Sequence, residues 1–300
     1  MRVFVTGATG FVGSHVVPEL LKAGHTVLGM SRSEAGAQAL VAAGAQVHRG
    51  DIYDLDSLRK GVEQAEAVIH LAFDHDFTKF ADSTETDRKV ITAMGEVLKG
   101  SQRPMLVTSG TAAAMFSKPG QVSTEDDAHP GSKVMPRAAS EEAADALVEQ
   151  GRRVAVVRLP QVHNTQNKAG LVTPVVSLAK KAGVAVYLGE GSARWAAAHV
   201  SDVARLYRLA LERCEPGARY NAVDEEGVSM KAIVETFAQG LGVPVKSVTP
   251  DEAATYLGPF AAFVGFDMPA SSAKTQQRLG WSPTGPRLLE DMRQWDYSQF

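Results

Sequence analysis

The sequence predicts an α/β protein with a doubly wound parallel sheet and a smaller C-terminal lobe. Short apolar segments alternate with helical patterns through the first half of the chain. The first of these segments runs directly into a glycine-rich turn and a helix, and the regular alternation ends near residue 160. Strands separated by helices pair in parallel, and the helices then cover both faces of the sheet.

Each element of the first half follows from this alternation. Strands are predicted at 1–5, 26–30, 45–49, 67–71, 104–109 and 153–158. Helices are predicted between them at 16–21, 34–43, 55–62, 84–99 and 138–150. Ligands of such a sheet bind at the carboxyl ends of its strands, so functional residues are expected directly after each strand.

The second half is less regular. Helices are predicted at 172–181, 199–211 and 229–241, and strands at 184–187 and 219–223. No repeat, low-complexity segment or flexible linker divides the chain. We therefore expect residues 1–165 to form the nucleotide-binding domain, with 199–225 returning to its sheet. Residues 166–198 and 226–300 are expected to form the smaller lobe, which would bind the substrate.

Composition narrows the class of protein. The chain has 300 residues, with 44% hydrophobic and 22% charged residues, as in ordinary globular proteins. A net charge of −3 offers no basic surface for nucleic acid or an anionic membrane. The single cysteine, Cys214, indicates a reducing compartment. No signal peptide or membrane-spanning run is evident, so a cytoplasmic location is expected. His70 and His75 lack partners at metal-ligand spacing, so no metal is predicted.

The glycine-rich turn is the strongest functional signal. Residues 6–13 read Thr-Gly-Ala-Thr-Gly-Phe-Val-Gly, between the first strand and the first helix. Gly7 would let the chain turn sharply, Gly10 would admit a pyrophosphate close to the backbone, and Gly13 would pack the helix against the strand. The helix N-terminus then offers N–H groups and a positive dipole end to phosphate. The alternative is a tight turn that binds nothing.

This turn resembles the cofactor turn of the extended short-chain dehydrogenase/reductase superfamily. Five further segments resemble the superfamily in the same order: 51–52, 70–72, 108–110, 158–163 and 198–203. The resemblance covers essentially the whole chain and implies a Rossmann-type fold. Residues 136–141 and 158–163 together resemble an atypical subgroup, described as NAD(P)-dependent epimerase/dehydratase-like or hydroxysteroid-dehydrogenase-like, some members of which resemble aldehyde reductases.

The resemblance implies which residues line the cofactor. Asp51 and Ile52 would contact adenine, and the segment after the fourth strand would line the groove. The predicted cofactor-binding residues are Gly7, Thr9, Gly10, Phe11, Val12, Gly13, Ser31, Arg32, Ser33, Asp51, Ile52, Leu71, Ala72, Phe73, Thr108, Pro160 and Val162.

The end of the second strand bears on the choice of nicotinamide cofactor. NAD sites normally carry an acidic residue here, which binds the ribose 2′-hydroxyl. This chain has Ser31, Arg32 and Ser33 instead. A guanidinium with two hydroxyl groups suits a 2′-phosphate, so NADP(H) is predicted. The alternative is a solvated surface arginine.

The superfamily's catalytic Tyr-x-x-x-Lys pair is absent. No tyrosine of the chain has a lysine four residues later. Counting from Ser109, the superfamily's spacing places Lys133 at the tyrosine position and Arg137 at the lysine position. Arg137 could hold the nicotinamide ribose, and Lys133 could donate a proton if burial lowered its pKa. Pro136 could instead begin the helix and leave Lys133 on an exposed loop.

Two other residues are catalytic candidates. Ser109 could hydrogen-bond a substrate carbonyl, or it could satisfy local backbone groups at the end of its strand. His163 lies near the position expected for the nicotinamide carboxamide, and it could be either a proton relay or a packed core histidine.

Two functions remain open on the sequence alone. The first is NADPH-dependent reduction of a small aldehyde or ketone, or related epimerase/dehydratase-like chemistry. The second is a non-catalytic NADP(H)-binding sensor or scaffold, which the missing tyrosine favours. A monomer or homodimer is expected. Helices 84–99 and 138–150 could pair between subunits through Ala138, Ala139, Ala143, Ala144 and Ala146, although an alanine face buried within one chain explains these residues equally well.

Overall fold

The structure is a computed structural model that describes residues 1–117 and 119–300. Its strands are β1 (Arg2–Thr6), β2 (Thr26–Ser31), β3 (Gln46–Arg49), β4 (Ala67–His70), β5 (Met105–Gly110), β6 (Val154–Leu159), β7 (Gln161–Asn164), β8 (Lys168–Ala169), β9 (Ala185–Leu188), β10 (Arg194–His199), β11 (Arg219–Asn221), β12 (Glu225–Ser229) and β13 (Val245–Val248). Its α-helices are α1 (Gly13–Lys22), α2 (Glu34–Ala42), α3 (Leu55–Glu63), α4 (Phe80–Val97), α5 (Ala139–Glu149), α6 (Val172–Ala182), α7 (Val200–Arg213), α8 (Met230–Leu241), α9 (Pro250–Leu257), α10 (Ala261–Gly265), α11 (Ala273–Leu279) and α12 (Leu288–Gln294).

Seven parallel strands form the main sheet, in the order β11-β6-β5-β4-β1-β2-β3. The predicted doubly wound α/β sheet is therefore confirmed. The strand order reverses at β1, which pairs with β2 on one side and with β4 on the other. In open sheets of this kind, the crevice at such a reversal is where ligands bind.

Helices cover both faces of the main sheet. Leu20 of α1 and Tyr207 of α7 are fully buried in the core cluster on one face. Ile91 of α4 and Leu147 of α5 are buried in the cluster on the other face. Burial of each such aliphatic side chain contributes about 1.5–3 kcal/mol. No helix within the described ranges has both the length and the apolar character needed to cross a bilayer.

The second half of the chain contributes two smaller sheets. One has four strands in the order β12-β10-β7-β8, and the other pairs β13 with β9. A third core cluster surrounds Trp195 and Phe237, which are 1% and 0% exposed. Strand β7 pairs with β10, so the sheet crosses the boundary predicted at residue 165, and the predicted division into domains stays a prediction.

Candidate active site and cofactor groove

The glycine-rich turn brings the ends of β1 and β4 together. Gly7 has a φ of +65°, and a Cβ there would lie 2.6 Å from the amide nitrogen of Ala72. A Cβ on Gly13 would lie 2.1 Å from the carbonyl oxygen of Gly7. Both positions therefore require glycine, the first for its left-handed backbone and close approach, the second to seat α1 against the turn.

Gly10 differs from the other two glycines. A Cβ there would meet one atom within 4 Å, the carbonyl oxygen of Gly7 at 3.2 Å. The space in front of this part of the turn is therefore open. No side chain caps the N-terminus of α1, and its first turn is held by backbone hydrogen bonds from Ser14 to Gly10 and from His15 to Val12. An anion there would meet the positive end of the helix dipole, so the turn fits a dinucleotide pyrophosphate.

The end of β2 carries the residues predicted to select the cofactor. Ser31 is 4% exposed, and its hydroxyl donates to the carbonyl oxygen of Ser33 at 3.0 Å. The Ser33 hydroxyl caps α2 by accepting from the amide of Gly36 at 3.0 Å. The Arg32 side chain is 71% exposed, with its guanidinium 3.7 Å from the Asp51 carboxylate. Both serine hydroxyls thus already have local hydrogen bonds, and Arg32 is the exposed cation beside them.

A second arginine, missed in the sequence, reaches the same place. Arg49 pairs in register with Ser31 across β2 and β3. Its guanidinium donates to the carbonyl oxygen of Ser33 at 2.8 Å and forms an ion pair with Glu34. The sequence signal was available, because neighbouring parallel strands bring their carboxyl ends to the same edge of the sheet.

A polar contact joins the loops after β3 and β4. Asp51 accepts a hydrogen bond from the amide of Tyr53 at 3.0 Å. The Tyr53 hydroxyl donates to the Asp74 carboxylate at 2.5 Å. This contact joins the loop expected to hold adenine to the loop that follows Ala72 and Phe73.

A buried polar network lies below the ends of β1, β4 and β5. His70 Nδ1 is 2.7 Å from the Thr6 hydroxyl, and His70 Nε2 is 2.8 Å from the Asp87 carboxylate of α4. The other Asp87 oxygen accepts from Arg137 at 2.9 Å and from the Ser140 hydroxyl. Burial opposes ionisation of Asp87, but the charges of Arg137 and His70 hold its pKa below the usual value.

Arg137 is fixed at the carboxyl edge of the sheet. Besides Asp87, its guanidinium donates to the carbonyl oxygen of Thr108 at 2.9 Å. Its central carbon lies 4.2 Å from the centre of the Phe73 ring, a cation–π distance. The structure thus brings Arg137 together with Phe73 and Thr108, two of the predicted cofactor-lining residues.

Lys133 is not brought into this network. The side chain is exposed on the loop before α5. Pro136 begins a short 3₁₀ turn, Pro136–Ala138, and α5 starts at Ala139. Residues 133 and 137 therefore share no helical face, because proline sets the start of the helical segment.

Ser109 points to the side of the sheet opposite that of Thr108. It is 3% exposed, and its hydroxyl has no hydrogen-bond partner within the described part of the chain. It lies beside Glu141, a buried residue of α5. The Thr108 hydroxyl instead donates to the carbonyl oxygen of His70 at 2.6 Å. Thr111, on the turn after β5, carries a further hydroxyl group near this edge, which the sequence did not point to.

Glu141 forms a buried ion pair with Arg158. The Arg158 guanidinium donates to both Glu141 oxygens, at 2.9 and 2.8 Å, and both side chains are 0% exposed. Burial alone would raise the pKa of Glu141, but Arg158 and Arg219 together lower it. The segment that resembles the superfamily motif at 158–163 thus begins with a residue held inside the protein.

His163 is also enclosed. It is 0% exposed, and its Nδ1 lies 2.5 Å from the Asp291 carboxylate of α12. Its ring lies 5.7 Å from that of His199. Val162 beside it is 4% exposed and packs in the main core. Pro160, Val162 and His163, the predicted residues of this segment, are all buried, so the segment offers no exposed titratable group from among them.

A family model and curated relatives match the chain. The model of the NAD dependent epimerase/dehydratase family matches residues 3–223. An uncharacterised protein of Schizosaccharomyces pombe is 42% identical over 292 residues, covering 97% of this chain and 98% of that protein. The UDP-glucose 4-epimerase of Streptomyces lividans is 27% identical over 328 residues, covering 99% and 95%. Vestitone reductase of Medicago sativa is 27% identical over 252 residues, covering 73% and 76%.

Solved structures share the fold. The UDP-glucose 4-epimerase of Thermus thermophilus in complex with NAD superimposes with a TM-score of 0.74 at 21% identity, covering 98% of this chain and 97% of that one. The dTDP-glucose 4,6-dehydratase DesIV of Streptomyces venezuelae, with NAD bound, gives a TM-score of 0.77 at 19% identity, covering 98% and 96%. The turn, the strand order and the family match agree: the chain belongs to the NAD-dependent epimerase/dehydratase family of the extended short-chain dehydrogenase/reductase superfamily.

Proposed function

We propose that the protein is an NADPH-dependent oxidoreductase that reduces a small aldehyde or ketone. The observation that carries this proposal is Arg137, held by Asp87 and the Thr108 carbonyl at the carboxyl edge of β5. A cation fixed there can orient the nicotinamide ribose without further reorganisation. The protein is proposed to act in the cytoplasm.

Each part of the groove has a proposed task. The turn at Gly7, Gly10 and Gly13 holds the pyrophosphate, and Arg32 binds the 2′-phosphate with help from Arg49. NADPH held in this groove would supply hydride to the carbonyl carbon. The hydroxyl of Ser109 or Thr111 is a candidate to polarise the carbonyl oxygen, and Lys133 stays a candidate proton donor from its loop. The sugar-nucleotide epimerases and dehydratases among the relatives keep related chemistry open for this site.

The substrate side of the groove favours an apolar carbonyl compound. Ala112 and Met115, after β5, pack against the apolar cluster of the C-terminal half. Phe260, Phe263 and Phe266 are partly buried and pack against the same cluster. The name of one relative, vestitone reductase, also supports reduction of a carbonyl group. The C-terminal segments, 166–198 and 226–300, are proposed to form this substrate lobe.

The deciding experiment measures binding and turnover separately. NADPH and NADH binding is followed by fluorescence, and NADPH oxidation is followed with a panel of aldehydes and ketones. Gly10→Val should abolish NADPH binding, because its side chain would fill the phosphate position, while melting temperature stays close to that of the wild type. Native affinity in this variant would show that the turn is only structural.

A non-catalytic sensor is the second candidate, favoured by the exposure of Lys133. It predicts tight NADPH binding and no oxidation with any carbonyl compound of the panel. Turnover of one compound, lost in Arg137→Ala, would exclude it.

A further inference from the structure

We propose that His75 donates the proton to the substrate oxygen, which makes it a further catalytic residue of the site. The inference rests on the proposed reductase function. His75 lies on the loop between β4 and α4, three residues after Ala72, whose amide adjoins the Gly7 turn. The side chain is exposed at the carboxyl edge of the sheet.

The ring of His75 is oriented by Phe73. His75 Nδ1 lies 3.1 Å from the Phe73 carbonyl oxygen, which can only accept, so Nδ1 carries the hydrogen. The exchangeable proton therefore resides on Nε2. The two rings meet edge to face with their centres 5.3 Å apart. Phe73 also carries the Arg137 guanidinium, at 4.2 Å, so one aromatic ring positions both groups.

The charges around His75 make its imidazolium a ready acid. The protein groups around the exposed ring displace part of its hydration and so lower its pKa, and the positive charge of Arg137 lowers it further. The Phe73 carbonyl and the carboxylates of Asp74 and Asp87 act in the opposite direction but do not outweigh these effects. The protonated ring thus releases its proton more easily than an ordinary histidine.

The other candidate donors are less suitably placed. His70 and His163 are 1% and 0% exposed, and each has a carboxylate partner. Lys133 lies outside α5, as described above. His75 combines exposure at the carboxyl edge with a fixed ring and a cation beside it.

The proton step balances. As hydride reaches the carbonyl carbon, the C=O π pair moves onto the oxygen. That oxygen forms an O–H bond with the proton from Nε2, whose N–H bond breaks. The neutral imidazole then takes up a proton from water. A general acid of this kind typically contributes a factor of about 10²–10⁴ in rate.

The test is His75→Gln, with His25→Gln as the matched control, since His25 pairs with Glu212 on the surface. His75→Gln should lower kcat about 100-fold or more, with little change in the NADPH Kd. The wild-type kcat should fall as pH rises through the titration of the imidazolium, and the variant should lose this dependence. His25→Gln should keep both the wild-type kcat and its pH profile.

A second readout needs no turnover. In an NMR titration of the histidine ring signals, His75 should titrate below 6.5, and its signal should shift when NADP⁺ is added. Wild-type kcat and pH profile in His75→Gln would overturn this inference alone, and so would a His75 signal unmoved by NADP⁺. If none of the carbonyl compounds supports NADPH oxidation by the wild-type protein, both the reductase function and the role of His75 are overturned.

Discussion

Arg32 and Arg49 approach the end of β2 from neighbouring strands, each beside a carboxylate. The Arg32 pair is long, 3.7 Å, and exposed, so it stabilises the protein little. A 2′-phosphate can therefore draw Arg32 away from Asp51 at small cost. Arg49 donates to the Ser33 carbonyl and so supports the loop that carries Arg32.

Arg32→Ala should weaken NADPH binding by about 1–3 kcal/mol, the range for a hydrogen bond to a charged group, and leave NADH binding nearly unchanged. Titration calorimetry with both cofactors checks this. Lys22→Ala, at the far end of α1, is the matched control and should bind both normally. Equal losses for NADPH and NADH in Arg32→Ala would contradict the assignment of the 2′-phosphate site.

The Glu141–Arg158 pair predicts a pH dependence of stability. The pKa of Glu141 is lower in the folded protein than its usual value, 4.5. Its contribution is therefore present above the unfolded pKa and is lost as pH falls through the folded one. Glu141→Gln should lower the melting temperature at pH 7, because Arg158 keeps a buried, unpaired charge, a change that costs about 3–5 kcal/mol.

Thermal melts between pH 7 and pH 3 test this. The wild type should lose stability in the acid part of the range, and Glu141→Gln should show a flatter acid limb. Glu149→Gln, on the exposed end of α5, is the control and should follow the wild type. A Glu141→Gln curve parallel to that of the wild type would contradict the role of the pair.

How far the sequence predicts the site differs from residue to residue. Gly7 and Gly13 were predictable, because the turn sequence carries its own geometry. The position of Arg137 at the carboxyl edge of the sheet agrees with the superfamily spacing counted from Ser109, and its role at the ribose stays a prediction. The face of the sheet to which Ser109 points was not predictable. Strand residues alternate between the two faces, and the sequence does not show which face Ser109 takes at the end of the strand. Arg49, Asp87 and Asp291 were missed because their partners lie on other elements.

At the scale of elements, α4 and α5 pack through a glycine. A Cβ on Gly95 would lie 2.3 Å from a methyl group of Leu147. This contact lets the two helices approach closely while both cover the main sheet. The neighbouring alanines also face inward: Ala138, just before α5, and Ala139, Ala143 and Ala144 of α5 are 0–5% exposed.

Gly95→Ala should destabilise the protein by about 1–3 kcal/mol through overpacking, less the gain of up to about 1 kcal/mol in helix propensity. Leu147→Ala should cost about 2–5 kcal/mol through the cavity it leaves. In urea denaturation, the double variant should lose less free energy of unfolding than the sum of the losses in the two single variants. Strict additivity would show that the two residues do not meet.

The elements of the first half were predictable because their apolar residues follow the spacing of a strand in some segments and the spacing of a helix in others. The second half was harder. Strand β10 consists largely of alanine, β12 contains two glutamates and a glycine, and β7 is separated from β6 by Pro160 alone. These strands form through pairing with partners distant in the chain, which no local pattern records.

At the scale of the whole molecule, the alanine face predicted to pair subunits is mostly buried within the chain. Four of the five alanines predicted to form a subunit contact are already covered by the chain's own helices and sheet. We therefore expect a monomer, and light scattering should give the mass of one chain, 31.9 kDa. A mass twice as large at micromolar concentration would contradict this and point to another surface.

Strand β11 covers one edge of the main sheet, yet it emerges from the ribosome long after its partner β6. While residues 160–218 are being translated, the open edge of β6 is a template for any other extended chain. A nascent sheet at this stage has an unprotected edge, and residues 198–222, which complete the core on one face, are not yet in place. Chaperone demand, and the yield of overexpressed protein, should be set by how quickly those intervening residues are made.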